Sequence, residues 1–184
     1  SPGSLFSLIR NPAFWSIMGL FGVGISATMG VYAMLPLYLV SEIGMERGWA
    51  NTLVAMSRIS GLWMAFVGGW ARDRFGAGKT LFFSLLCMGI ATVLLGKTSG
   101  SWLMLLVFLQ PALTACFFPA GLAALSSLGR PEERNVAISL TIPLSFLFGG
   151  GLIPSVMGLM ADAGAFRQSI VLVGALTVIG SFLS

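Results

Sequence analysis

The stretch GGWARDRFGAGKT, residues 68–80, separates two long apolar runs of the chain. It holds three cationic side chains, one carboxylate and four glycines. Gly69 permits close packing, Gly76 permits a tight turn, and Asp73 can cap a helix start or pair with a cation. We therefore interpret the stretch as a short polar turn between two hydrophobic segments.

Apolar runs continue on both sides of this turn. A bilayer core of roughly 30 Å is crossed by about 20 apolar residues in a helix, whereas barrel strands alternate with period two. The chain is 57% hydrophobic and 9% charged, against roughly 25% charged residues in soluble domains. The sequence thus predicts an all-α membrane protein with six transmembrane helices, at residues 12–40, 49–70, 80–96, 102–128, 135–160 and 166–184.

Composition argues against several functions. The net charge of +4 is spread over loops without a basic run, so we expect no nucleic-acid partner. The chain has no histidine, and its six acids lie in or beside polar loops. We therefore expect no enzymatic activity, no metal site and no cofactor.

The loop charges predict an orientation. Six cations fall on one side and three on the other: Arg10, Arg72, Arg74, Lys79, Arg130 and Arg134 against Arg47, Lys97 and Arg167. By the positive-inside rule both termini are cytoplasmic. We expect residues 1–11 to be a linker or a cloning scar, and residues 12–184 to form one transmembrane bundle.

The turn also carries a recognisable pattern, G-x-x-x-D-R-x-G-x-x-K, matched by Gly69, Asp73, Arg74, Gly76 and Lys79. Between the second and third of six apolar spans, this pattern resembles the signature loop of the major facilitator superfamily. The resemblance implies a bundle of two inverted three-helix repeats that packs against another six-helix half around a midplane site. No sequence repeat between the two triplets is evident. The linker-like start favours the C-terminal half.

The resemblance further implies that Asp73 and Arg74 belong to a cytoplasmic charge latch that holds one state of the transport cycle. Glu132, Glu133 and Arg134 lie in the next loop on that side and could exchange ion pairs with Arg72 or Arg74. Each exposed pair contributes only about 0–1 kcal/mol. The alternative is that the 132–134 cluster consists of solvated charges that only set topology.

Arg58 is the one charged residue deep within an apolar span. It lies roughly 14 Å in from Trp49, where lipid exposure would cost about 2.5–3.5 kcal/mol. Three uses compete: binding an anionic substrate, pairing with an acid in the other half, or binding carbonyls freed by proline. A guanidinium matches a carboxylate or phosphate bidentately, which favours the first.

Helical spacing places small and polar residues on one face of the second span, and we expect it to face inward: Asn51, Ala55, Arg58, Gly61, Ala65 and Gly69. Leu53, Trp63 and Trp70 point away from it. The resemblance implies that Gln110 and Tyr32 also line the central cavity. Our candidate substrate-binding residues are thus Arg58, Asn51, Gln110 and Tyr32, although a buried Gln or Tyr can instead satisfy a neighbouring backbone group.

The fifth span combines Gly149, Gly150 and Gly151 with Pro154. This composition indicates either tight helix packing or a flexible point in a moving helix.

Together these features predict a secondary transporter in a bacterial plasma membrane, whose partners are the bilayer, a small solute and the other half of the transporter. A small organic anion is the leading substrate because of Arg58. The alternatives are an efflux pump for multiple drugs or lipophilic compounds, with Arg58 structural, and a membrane scaffold or receptor that transports nothing.

Overall fold

A computed structural model describes residues 9–127 and 131–183, without the side chains of 131–133. Its helices are α1 (Pro12–Ile25), α2 (Val31–Ser41), α3 (Arg47–Phe75), α4 (Ala77–Lys97), α5 (Ser101–Ser126), α6 (Pro131–Phe146), α7 (Ile153–Asp162) and α8 (Phe166–Ser181). Two π-helical turns, Ser26–Gly30 and Leu147–Leu152, join α1 to α2 and α6 to α7. These eight helices form six continuous spans, which agrees with the six predicted apolar runs.

Five of the spans are long and apolar enough to cross a membrane, and the sixth, α8, is a shorter apolar helix. The described loops between spans are short, and their ends follow local chemistry. Asn11 caps α1 by accepting a hydrogen bond from the Ala13 amide at 3.0 Å. The two carboxylate oxygens of Glu46 accept hydrogen bonds from the amides of Gly48 and Trp49 in the first turn of α3, which lowers the pKa of Glu46.

The packing of the spans has an internal symmetry. The second span packs on the fourth, and correspondingly the fifth packs on the first. The third span packs on the fourth, and correspondingly the sixth packs on the first. The third and sixth spans also pack on each other. Exchanging spans one to three with spans four to six leaves this pattern unchanged. The arrangement is that of two related three-helix repeats.

Glycine allows several of these helices to touch at their backbones. A Cβ added at Gly89 or Gly174 would lie 2.6–2.9 Å from backbone atoms across the interface between the third and sixth spans. A Cβ at Gly68 would lie 2.6 Å from the Cα of Cys116 in the fourth span. The core of the bundle is therefore held by close helix contacts as well as by buried aliphatic side chains.

Two spans contribute least to this core. In the second and fifth spans only 22% of the most apolar segment is buried, against 61% in the first. Leu62, Trp63 and Phe66 on the second span and Leu147 and Phe148 on the fifth are exposed. The bundle thus presents large apolar surfaces on these two helices.

One assignment of helix faces is wrong. Leu53, which we expected to point away from the protein, is 4% exposed and packs in the core. The second span buries Ala50, Val54, Ser57 and Gly68 with it. The buried face is centred about a quarter turn from the predicted stripe, because Gly68 admits the fourth span and Ser57 contacts Tyr32 of the first span.

Candidate functional site

Tyr32, Arg58 and Gln110 line one groove of about 180 Å³ between the first, second and fourth spans. Its remaining lining residues are Thr28, Met29, Gly61, Pro111 and Thr114. A Cβ at Gly61 would lie 3.3 Å from the carbonyl of Pro111, so close contact of the second and fourth spans forms the floor. Three of the four predicted binding residues therefore lie together.

Arg58 stands over the aromatic face of Tyr32, with its Cζ 4.5 Å from the ring centroid. This cation–π contact is worth about 0.5–2 kcal/mol. Within the described part of the chain, no carboxylate lies within ion-pair distance of Arg58. The side chain is exposed on the open side of the groove, so its guanidinium edge is accessible to an anion.

The Tyr32 side chain is held in place through its hydroxyl group. Its hydroxyl contacts the carbonyl of Val54 and, at 2.6 Å, the Oγ of Ser57. Both partners belong to the second span: Val54 lies one turn before Arg58, and Ser57 directly precedes it. The ring is therefore a rigid platform for the guanidinium, and its hydroxyl faces the neighbouring helix.

Gln110 connects the groove to the first π-helical turn. Its Nε2 donates to the carbonyl of Ala27 at 2.6 Å, and its Oε1 is buried without a hydrogen-bond partner among the described residues. A π-helical turn interrupts the regular i→i−4 ladder and leaves backbone groups to be satisfied elsewhere. Gln110 thus satisfies a backbone carbonyl, the alternative considered for it, while it also lines the groove.

Asn51 does not lie in this groove. It lines another groove with Pro36, Leu37, Val40 and Arg47. Asn51 precedes Arg58 by seven residues, about 10.5 Å along the helix, so a shared face does not place both side chains in one pocket.

Sequence reasoning did not select Thr28, Met29 and Thr114. Thr28 lies four residues before Tyr32, and Thr114 lies four residues after Gln110. The same helical spacing that selected the face of Arg58 would have found both threonines. The π-helical turns carry no comparable sequence signal, because they depend on contacts between distant helices.

The turn at residues 69–79 has the geometry expected of it only in part. Gly76 ends α3 with φ of 88°, a backbone conformation that favours glycine. Asp73 does not cap a helix, because it lies in the last turn of α3, where Nε and Nη2 of Arg72 contact its Oδ1 at 2.9 and 2.5 Å. Its ion pair is thus with Arg72.

The other latch residues are spread over the same end of the bundle. Arg74, Lys79 and Arg134 are exposed, and Gly69 has open space around it. The side chains of Glu132 and Glu133 lie outside the described residues. Within the described part, the Arg72–Asp73 pair is the ion pair of this region, and the exchange between loops stays a prediction.

The glycine run of the fifth span is now partly explained. A Cβ at Gly149 would lie 2.6 Å from the Ser26 amide nitrogen, and a Cβ at Gly30 would lie 2.8 Å from the Gly149 carbonyl oxygen. The two π-helical turns therefore touch at their backbones. Gly150 and Gly151 are exposed, so only the first glycine of the run serves packing within this chain.

Comparison with known proteins agrees with the bundle and its loop. Residues 48–184 match the family model for the Major Facilitator Superfamily. The chain belongs to the major facilitator superfamily. It is an integral membrane protein of helices, and the resemblance drawn from residues 69–79 is confirmed.

Among its relatives are three bacterial proteins. The chain is 32% identical over 117 residues to the "Probable sulfoacetate transporter SauU" of Cupriavidus necator, covering 62% of the chain and 27% of that protein. It is 25% identical over 143 residues to the "Uncharacterized MFS-type transporter YqjV" of Bacillus subtilis, covering 76% and 35%. It is 23% identical over 159 residues to the "Phosphoglycerate transporter protein" of Salmonella typhimurium, covering 84% and 34%. The chain thus spans about a third of the length of the relatives it matches.

Proposed function

We propose that this chain is the C-terminal half of a secondary transporter that moves small organic anions by alternating access, with Arg58 as the residue that binds the anionic group. The observation that carries the proposal is the guanidinium of Arg58, which has no carboxylate partner in the described chain and is held over a fixed tyrosine ring at an open groove. Placing a cation at the middle of a membrane span is costly. An anionic ligand would offset that cost.

The relatives support the same class of solute. Two of the three are named for transport of sulfoacetate and phosphoglycerate, both small organic anions. The identity is low, so these names support the class and not one compound. They also favour a bacterial plasma membrane as the location, and the distribution of loop cations favours cytoplasmic termini.

The exposed second and fifth spans supply the surface for the other half. Apolar residues such as Leu62, Phe66 and Leu147 require lipid or protein cover. In our proposal the second half packs against these spans, closes the groove of Arg58 and completes a central cavity. Rocking of the two halves then exposes that cavity to either side of the membrane in turn.

Arg72 and Asp73 take a role at the cytoplasmic end in this scheme. Their pair is exposed and contributes only about 0–1 kcal/mol. A contribution of that size biases two states of similar free energy without locking either. We assign the latch to residues 69–79 and Arg134, with Asp73 as its central carboxylate.

An efflux function for lipophilic compounds is the second candidate, and one observation favours it. A larger groove of about 530 Å³ lies between the first, fifth and sixth spans. Its lining is almost entirely apolar and includes Trp15, Met18 and Phe148. In that case Arg58 would be structural.

A thermal protection experiment on the full-length transporter separates these functions. We expect sulfoacetate or 3-phosphoglycerate to raise the unfolding temperature of the wild type but not of Arg58→Gln, because the variant keeps the stem and loses the charge. Protection of both proteins by lipophilic cations, with none by anions, would contradict the anion proposal and favour efflux. Lys97→Gln is the matched control, because it removes a cation that lies outside the groove.

A further inference from the structure

Two separate grooves follow one another along the first and second spans, and together they are called the crevice below. Tyr32 and Arg58 line the first. Pro36 and Val40 on the first span, with Asn51 and Arg47 on the second, line the next. The two spans run in opposite directions. Toward the loop at residues 42–46, the residue numbers therefore rise along the first span and fall along the second.

Arg47 and Arg58 lie on the same face of one helix. They are eleven residues apart, which is about 16.5 Å along the axis and within about 20° of three whole turns. Asn51 lies on that face between them. The crevice therefore presents one guanidinium at its depth and another at its mouth.

Acidic residues near the mouth are already engaged. Glu46 accepts hydrogen bonds from the amides of Gly48 and Trp49 through its two oxygens, at 2.7 and 2.8 Å. Glu42 pairs with Nε of Arg167 at 3.4 Å. In the described chain this leaves Arg47 without an ion pair and Asn51 without a side-chain hydrogen bond.

We propose that Arg47 and Asn51 form a second anion site, which holds the carboxylate, sulfonate or phosphate group of the solute before it reaches Arg58. This inference rests on the proposed anion transport. The groove has a volume of about 170 Å³. It therefore has room for one anionic group and its partners.

The chemistry of the two side chains is suited to such a group. The guanidinium offers a planar fork that matches two oxygens of an oxyanion, and the Asn51 amide adds a neutral donor. The Glu46 carboxylate occupies the amides of Gly48 and Trp49, so we build the site from the two side chains alone. Because both residues are exposed, the anion is held weakly enough to move on toward Arg58.

Kinetics of the full-length transporter in liposomes test this site. The probe is sulfoacetate, or 3-phosphoglycerate if the wild type transports only that compound. We expect Arg47→Gln to raise KM about tenfold with the maximal rate unchanged, since a hydrogen bond to a charged group is lost from the entry site. Arg47→Lys, which keeps the charge without the fork, should give a smaller rise.

Lys97→Gln is the matched control, because the loops at residues 42–46 and 98–100 lie at the same end of the bundle. It removes one cation from that face but none from the crevice, so its KM should stay within about twofold of the wild type. An unchanged KM in Arg47→Gln, or an equal rise in Lys97→Gln, overturns the site while leaving anion transport standing. Failure of the wild type to transport either anion overturns the proposed function itself.

Discussion

At the scale of single residues, the arrangement of Arg58 and Tyr32 explains how a cation can be kept inside a span. Tyr32 is 8% exposed and is anchored through its hydroxyl to the second span. Its ring face supplies electron density to the guanidinium, while the guanidinium edge is left for another partner. A residue that would be costly against lipid becomes a ready binding group.

Two substitutions of Tyr32 separate the roles of its ring and its hydroxyl. Tyr32→Phe keeps the ring under Arg58 and loses the bonds to Val54 and Ser57, so we expect a stability loss of about 1 kcal/mol with little change in KM. Tyr32→Leu removes the ring as well and should raise KM about threefold to tenfold, as expected from the size of a cation–π contact. Initial uptake rates and thermal unfolding of both variants measure this. A KM for Tyr32→Phe as high as that for Tyr32→Leu would show that the ring face is not what positions Arg58.

At the scale of helices, the two π-helical turns are the feature that links the repeats. Ser26–Gly30 and Leu147–Leu152 occur in the first and fifth spans and meet through Gly30 and Gly149. Gln110 ties the first of these turns to the groove through Ala27. Any movement of the first span relative to the fifth must therefore change this backbone contact.

The glycine run provides a matched pair of variants for that contact. A Cβ at Gly149 would lie 2.6 Å from the Ser26 nitrogen, whereas one at Gly151 meets nothing within 4 Å. We expect Gly149→Ala to destabilise the protein by about 1–3 kcal/mol, because the helices must separate. Gly151→Ala, with the same gain in helix propensity, should be neutral or slightly stabilising. Thermal unfolding of the two variants side by side tests this, and equal stabilities would mean that the π-helical turns do not meet as described.

Sequence and structure agree best at this scale, and the reason is physical. Span positions follow from apolar length, so residues 12–40 become Pro12–Ser41 and residues 135–160 fall within Arg134–Asp162. The buried face of each helix is harder to predict from the sequence, because small residues can be buried by helix contact or left open for a partner. For this reason we wrongly predicted that Leu53 is exposed and that Asn51 shares a binding groove with Arg58. The bond from Gln110 to Ala27 joins residues 83 positions apart, and no local pattern encodes it.

At the scale of the whole molecule, the chain is a bundle with two poorly covered helices. On the second span, exposed apolar residues surround the small residues that flank Arg58. On the fifth span, exposed apolar residues surround the glycine run. Membership of the major facilitator superfamily fits such a shape. A second six-helix half would cover these spans and enclose the groove.

The exposed second and fifth spans predict that the chain associates when it is expressed alone. We expect the 184-residue chain, expressed alone, to associate in detergent, because exposed apolar surface of this extent favours self-contact. Light scattering coupled to size-exclusion chromatography measures the mass of the protein component. A monodisperse monomer at all protein concentrations would show that these spans need no protein partner.

The central claim, that the molecule transports small organic anions through Arg58, is tested most directly by uptake into liposomes that contain the full-length protein. The panel comprises sulfoacetate, 3-phosphoglycerate and lipophilic drugs, with the wild type compared against Arg58→Gln and Arg58→Lys. The account predicts anion uptake by the wild type, loss of that uptake by at least about 100-fold in Arg58→Gln, consistent with about 3 kcal/mol for a charged hydrogen bond in a membrane site, and partial retention in Arg58→Lys. Undiminished anion uptake by a folded Arg58→Gln variant, or uptake of lipophilic drugs alone, would contradict it.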